Sequence, residues 1–131
     1  MTIRVVRLGT PRRRGEGLRL GTVRRPPRGI RKADHARLDY YDVWLPELAP
    51  STPLVNWALS EPLAGKRWVS YARRYRREMR RPPAQRVLKT LAGLSRQANF
   101  SVGCYCRDEA HCHRTLLRGL LREHGADIAP E

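Results

Sequence analysis

Apolar residues recur along the chain with two distinct periods, and the switches between them divide it into elements. Residues 2–8 alternate as a strand, with Ile3, Val5 and Arg7 on one side and Val6 and Leu8 among the others. Residues 18–24 (Leu-Arg-Leu-Gly-Thr-Val-Arg) predict a second strand, after a 9–17 loop punctuated by Pro11, Gly15 and Gly17. A long loop through Pro26, Pro27 and Gly29 continues to about Arg37. Residues 38–45 fit either a strand or a short helix leading to Pro46. Ser51 with Pro53 in the first turn starts a helix. In residues 64–80 Trp68, Tyr71, Ala72, Tyr75 and Met79 fall at helical spacing and form an apolar stripe. A third helix runs from about Pro83 to Arg96 and buries Val87, Leu88, Leu91 and Leu94. Residues 99–106 give the strongest strand signal, with Phe100, Val102, Cys104 and Cys106 on one face. A last helix is expected to open near Asp108, a good N-cap, with Cys112 in its first turns, and to turn Leu116, Leu117, Leu120 and Leu121 inward before stopping at Gly125. Residues 126–129 fit a short final strand.

Strands alternating with helices over 131 residues predict one α/β domain, a mostly parallel sheet flanked by helices in a Rossmann-like three-layer arrangement. No internal repeat and no second domain are visible. No apolar run approaches the roughly 20 residues that cross a bilayer. Three crowded cysteines argue against a secreted disulfide framework, so a cytoplasmic protein is expected.

Charge changes this picture. The net charge is +15, and it is concentrated in two places. Residues 11–37 carry ten Lys/Arg against Glu16 and Asp34, and residues 64–81 carry eight against Glu78. Local basic surfaces attract polyanions. Arg12, Arg13, Arg14, Arg24, Arg25, Arg28, Arg31 and Lys32 in the loop, with Arg73, Arg74, Arg76 and Arg77 on the helix, are therefore the candidate nucleic-acid contacts. Affinity of this kind falls steeply with salt. An acidic protein partner would meet the same arginines. Arginine outnumbers lysine 24 to 3, a ratio that coding bias alone can produce. The loop, rich in arginine, is expected to need an anion or partner to order it. Trp44, Trp57, Trp68, Tyr40, Tyr41, Tyr71 and Tyr75 fit a core better than a stacking platform. Asp39 and Asp42 are expected to be solvated or salt-bridged.

The chemistry is concentrated in residues 104–114, Cys-Tyr-Cys-Arg-Asp-Glu-Ala-His-Cys-His-Arg, at a strand-to-helix junction. Three readings compete. A phosphate-bearing ligand, nucleic acid or nucleotide, would bind there through Cys106, His111, His113 and Arg114, with helix N–H groups as donors. Alternatively Cys112 or Cys104 is a reactive thiolate of an enzyme or redox sensor. The third reading is a zinc site of Cys104, Cys106, Cys112 and His113. It is disfavoured because C-x-C is not the usual structural zinc spacing, so no cofactor is predicted. A purely structural or protein-interaction module is compatible with the same residues. His-Cys-x₅-Arg from His111 to Arg118 has the outline of a phosphatase loop, but it lacks the small residues that let a backbone wrap phosphate. No G-x-x-x-x-G-K-[ST] loop occurs.

These residues resemble a bacterial family, the domain of unknown function 488. Its pattern is a strand ending in cysteine, an acidic residue two places on, then Cys-His-Arg opening a helix. Cys104 matches the strand cysteine and Cys112, His113 and Arg114 the Cys-His-Arg, while Cys106 replaces the acidic residue. Pro27-Arg28-Gly29 is similar to the family's Trp-Pro-Arg-Gly stretch, with Pro26 in place of tryptophan. Leu48-Ala49-Pro50-Ser51, Trp57 and the Trp68, Tyr75, Met79 helix are similar to its middle portion. The resemblance spans nearly the whole chain and implies a small α/β domain of a cytoplasmic bacterial protein. It brings no established activity.

Overall fold

The structure is a computed structural model that describes residues 1–130. Four short strands, β1 (Ile3–Arg7), β2 (Leu18–Gly21), β3 (Val43–Trp44) and β4 (Phe100–Cys104), form one parallel sheet in the order β1-β4-β2-β3. Four helices accompany it: α1 (Thr52–Leu59), α2 (Lys66–Glu78), α3 (Pro82–Leu94) and α4 (His113–Glu123). The α/β class expected from the alternating periods is the observed one. Ile128 adds only a bridge to Ile3 where a short strand was expected.

Alternation along the strands assigns the two faces. Ile3, Leu20, Phe100 and Val102 join Leu54 of α1, Tyr71 and Tyr75 of α2, Leu88 and Leu91 of α3, and Leu116, Leu117, Leu120 and Leu121 of α4 in one core. The expected apolar stripe of α2 is the buried one. Tyr75 is fully buried and donates its hydroxyl to the carbonyl of Leu48 at 2.7 Å, which satisfies its one polar atom. Ser51 caps α1 through its side chain, and its own N–H and hydroxyl donate to Glu78, stitching α1 to the end of α2.

The opposite face of the sheet is polar at its centre. Arg19 of β2 is wholly buried and donates Nε and Nη2 to the carboxylate of Glu16 at 2.8 and 3.0 Å. Its Nη1 reaches the carbonyls of Thr10 and Asp39. Ser101 of β4 donates to the same carboxylate at 2.7 Å. Every charge in this group is thus matched by a hydrogen-bonding partner, the condition for burying an ion pair without a net loss. The 9–17 segment is stitched to the sheet through these bonds.

Two sequence expectations need correction. Residues 38–45 give only the two-residue strand β3; the rest is turn, because Tyr41 packs its ring over Gly21 and Asp42 donates its N–H to the carbonyl of Arg19. The last helix does not open at Asp108. That side chain caps a single 3₁₀ turn, Glu109–His111, by accepting from the N–H of Ala110. The chain then extends at Cys112 (φ −132°, ψ 154°), which becomes the residue preceding α4 rather than one within its first turns.

Candidate functional site

β4 is one of the two inner strands, flanked on both sides by parallel partners, and its C-terminal end opens toward the crevice where α/β sheets hold ligands. Cys104 ends β4, the turn 105–112 reverses the chain, and Cys112 leads into α4. This short excursion brings the three thiols together: all three sulfur atoms lie within 4.8 Å of one another. Cys104 and Cys112 are buried, 1% and 2% exposed, with their Sγ atoms 2.7 Å apart. Cys106 is exposed.

The surroundings make the three sulfurs unequal. The Cys104 thiol is pushed up by its contacts with Cys106 and Cys112 and by burial. Cys104 pulls Cys112 down, but Cys106 and burial outweigh it and leave Cys112 raised. Cys106 is held well below the ordinary thiol range, because the two inner thiols and the Arg114 charge stabilise its anion.

His113 is buried at the start of α4. Its Nε2 sits 2.6 Å from the carbonyl of Thr22, which can only accept, so Nε2 carries the proton. The bare Nδ1 faces Cys112 Sγ at 3.7 Å. Burial lowers its pKa, disfavouring the charged ring. Arg114, also buried, donates Nη2 to the carbonyl of Cys106 at 2.6 Å and clamps the turn, while its Nε has no hydrogen-bond partner among the described residues. His111 lies outside this group, exposed and paired with Asp108 at 3.0 Å. The three cysteines can hold a metal ion.

A cavity of about 760 Å³ has the thiols in its floor. Cys104, Cys106, Cys112, His111 and His113 line one side, and Arg24, Arg25 and Tyr105 another. The remaining wall is mostly apolar and comes from residues 50–63, with Val55, Leu59 and Leu63, and from Tyr71 of α2. Sequence reading did not find that wall. Its residues look like any amphipathic helix and following loop, and only the packing of α1 brings them over the cysteine turn.

The candidate nucleic-acid arginines divide once placed. Arg12 is tied to Asp39 and Asp42 at 3.2 and 2.7 Å, in accord with the salt-bridged role expected for those carboxylates. Arg24 donates to the carbonyls of Pro46, Ala49 and Pro50. Arg31 pairs with Asp34, and Arg74 lies 4.9 Å over the Trp57 ring. Arg25 is exposed, with Nη2 3.3 Å from Asn56 Oδ1. Arg13, Arg14, Arg28, Lys32, Arg73, Arg76 and Arg77 are exposed. Among the described residues no helix is long and apolar enough to cross a membrane.

No curated protein and no solved structure matches the chain. A family model, DUF488-N3a, described as the active DUF488-N3 subclade, matches residues 3–125. That span holds all four strands, all four helices and the cysteine turn. The chain belongs to the DUF488 family.

Proposed function

We propose that this protein binds a small phosphate-bearing ligand of the nucleotide class in the cavity above the cysteine turn. The observation that carries the reading is the cavity itself: it lies beyond the carboxyl ends of β2 and β4, beside the N-terminus of α4, with Arg24 and Arg25 in its lining. A helix N-terminus and arginines favour an anion. The apolar wall of Val55, Leu59, Leu63 and Tyr71 favours a ligand whose other end is a flat, weakly polar ring. The buried Nε of Arg114 is a spare donor beside the same turn. A concave site suits a small molecule better than a polymer, and several of the loop arginines are already engaged by the protein's own carboxylates and carbonyls.

Adenosine monophosphate is the probe, titrated calorimetrically into reduced protein at low and high salt. Binding is expected to weaken with salt. Arg25→Ala should cost about 1.5 kcal/mol, roughly tenfold in affinity. No binding at millimolar nucleotide, or an R25A variant as tight as the parent, sinks the proposal. A single-stranded oligonucleotide bound through Arg73, Arg76 and Arg77 in the absence of nucleotide binding would move the ligand to the outer face of α2 and make it nucleic acid.

One observation favours a second reading, a zinc ion on the three sulfurs. His113 donates Nε2–H to a backbone carbonyl and turns Nδ1 toward Cys112, the outer-shell arrangement that usually orients a ligating histidine. Three thiolates with one imidazole make a closed structural set. Elemental analysis of the native protein is expected to give one zinc per chain if this holds, with a lower melting temperature after chelation. Metal-free protein that melts unchanged in chelator excludes it.

A further inference from the structure

We propose that the three thiols form a hydroperoxide-responsive switch, in which Cys106 meets the oxidant and the buried pair Cys104 and Cys112 ends as a disulfide. The proposal concerns metal-free protein and is independent of the ligand in the cavity.

Access and position assign the roles. Cys106 is the exposed sulfur, and it lies in the lining of a cavity that admits small molecules. Cys104 and Cys112 line the same cavity but are only 1% and 2% exposed, and their sulfurs stand 2.7 Å apart. A movement of about 0.7 Å takes that pair to the bonded separation of about 2.05 Å. Both inner sulfurs also lie within 4.8 Å of Cys106, so a product formed on Cys106 has a resolving thiol within reach without unfolding.

The electron and atom balance closes with a hydroperoxide as the oxidant. Cys106 sulfur attacks the terminal oxygen; an S–O bond forms, the O–O bond breaks, and the alcohol leaves with a proton (water, for hydrogen peroxide). The Cys112 thiol then attacks the Cys106 sulfenic acid, forming an S–S bond and releasing water. Cys104 displaces Cys106 from Cys112 by thiol–disulfide exchange and passes its proton to the departing Cys106 thiolate. The sum is one hydroperoxide reduced to alcohol and water and two thiols oxidised to one disulfide, with Cys106 returned to its starting state. The bond covalently ties the end of β4, held between β1 and β2, to the residue that leads into α4.

The test uses full-length protein, reduced and chelator-treated, given one equivalent of hydrogen peroxide and then quenched with an alkylating agent. Peptide mass mapping should show a Cys104–Cys112 disulfide with Cys106 alkylated. Cys106→Ser, a replacement at the exposed thiol, should slow disulfide formation by about tenfold or more. Cys112→Ser should stop at a sulfenic acid on Cys106, trapped by dimedone. Oxidation of C106S at the parent rate overturns the proposal, as does oxidation confined to Cys106 with the inner pair still alkylated. No phosphorylated ligand enters this assay, so its failure is separable from failure of the nucleotide reading.

Discussion

Glu16→Ala is expected to lower folding stability by about 3–5 kcal/mol, the usual result of removing one partner from a buried, hydrogen-bonded ion pair. The reason is what is left behind. Arg19 has no access to water, and without Glu16 its Nε and Nη2 lose their acceptors while the charge stays inside the protein. Ser101 loses its acceptor as well, and the N–H of Arg13 loses a contact with Oε1 at 3.2 Å. Urea unfolding measures the effect, and a change under about 1 kcal/mol would place this group among weak surface pairs instead.

The same carboxylate predicts a pH dependence. Burial pushes its pKa up, but the hydrogen bonds from Arg19, Ser101 and Arg13 outweigh this and bring it from 4.5 to about 2. A carboxylate depressed in the folded state stabilises at pH above its unfolded value, and the contribution disappears as pH falls through the folded value. The stability gap between the parent and Glu16→Gln should therefore be full at neutral pH and narrow between pH 4.5 and about 2. A gap that stays constant over that window would show that the interaction does not depend on ionisation.

Gly17→Ala is expected to destabilise by about 3 kcal/mol or more. Gly17 has φ +80°, a conformation that costs an L-residue free energy before any contact is considered. An added Cβ would also overlap the carbonyl oxygen of Asn99, the residue just before β4. That oxygen belongs to backbone and cannot swing aside as a side-chain tip would, so the β2 and β4 backbones must separate where Leu18 pairs with Phe100. Gly15→Ala is the matched control: it has a similar φ of +78° but nothing near its Cβ position. Thermal melting of the two variants separates backbone strain from collision. Equal melting temperatures would mean the collision costs nothing.

Both variants fall in the segment that reads, from composition, as a basic loop needing a partner to order it. Periodicity makes α2 and α3 legible, since stripes of Trp68, Tyr71, Tyr75 and Met79, or Leu88 and Leu91, leave one choice of buried face. The apolar alternation of β4 and the convergence of Cys104 and Cys112 at its end are legible for the same reason. The loop is different. Nothing local distinguishes Arg19, which is wholly buried, from Arg13 or Arg14, which are exposed; the distinction is made by Glu16, Asp39 and Ser101. The start of α4 illustrates a local rule overridden. Asp108 does cap, as its residue type demands, but only one turn follows because Cys112 takes an extended conformation beside Cys104. The ranking of the cysteines is also tertiary: alternation places Cys104 and Cys106 on one side of the strand, whereas the turn leaves one of them buried and the other facing solvent.

The strand order has a consequence for how the chain reaches this state. β1 and β2 are not neighbours; β4, some 80 residues after β2, is inserted between them and pairs with both. Until β4 is in place β1 has no strand to pair with, and β2 has only the two-residue β3 beside it. Closing the sheet thus requires contacts distant along the chain, the kind that slow folding. The strand that closes the sheet is also the one that carries the first cysteine into place.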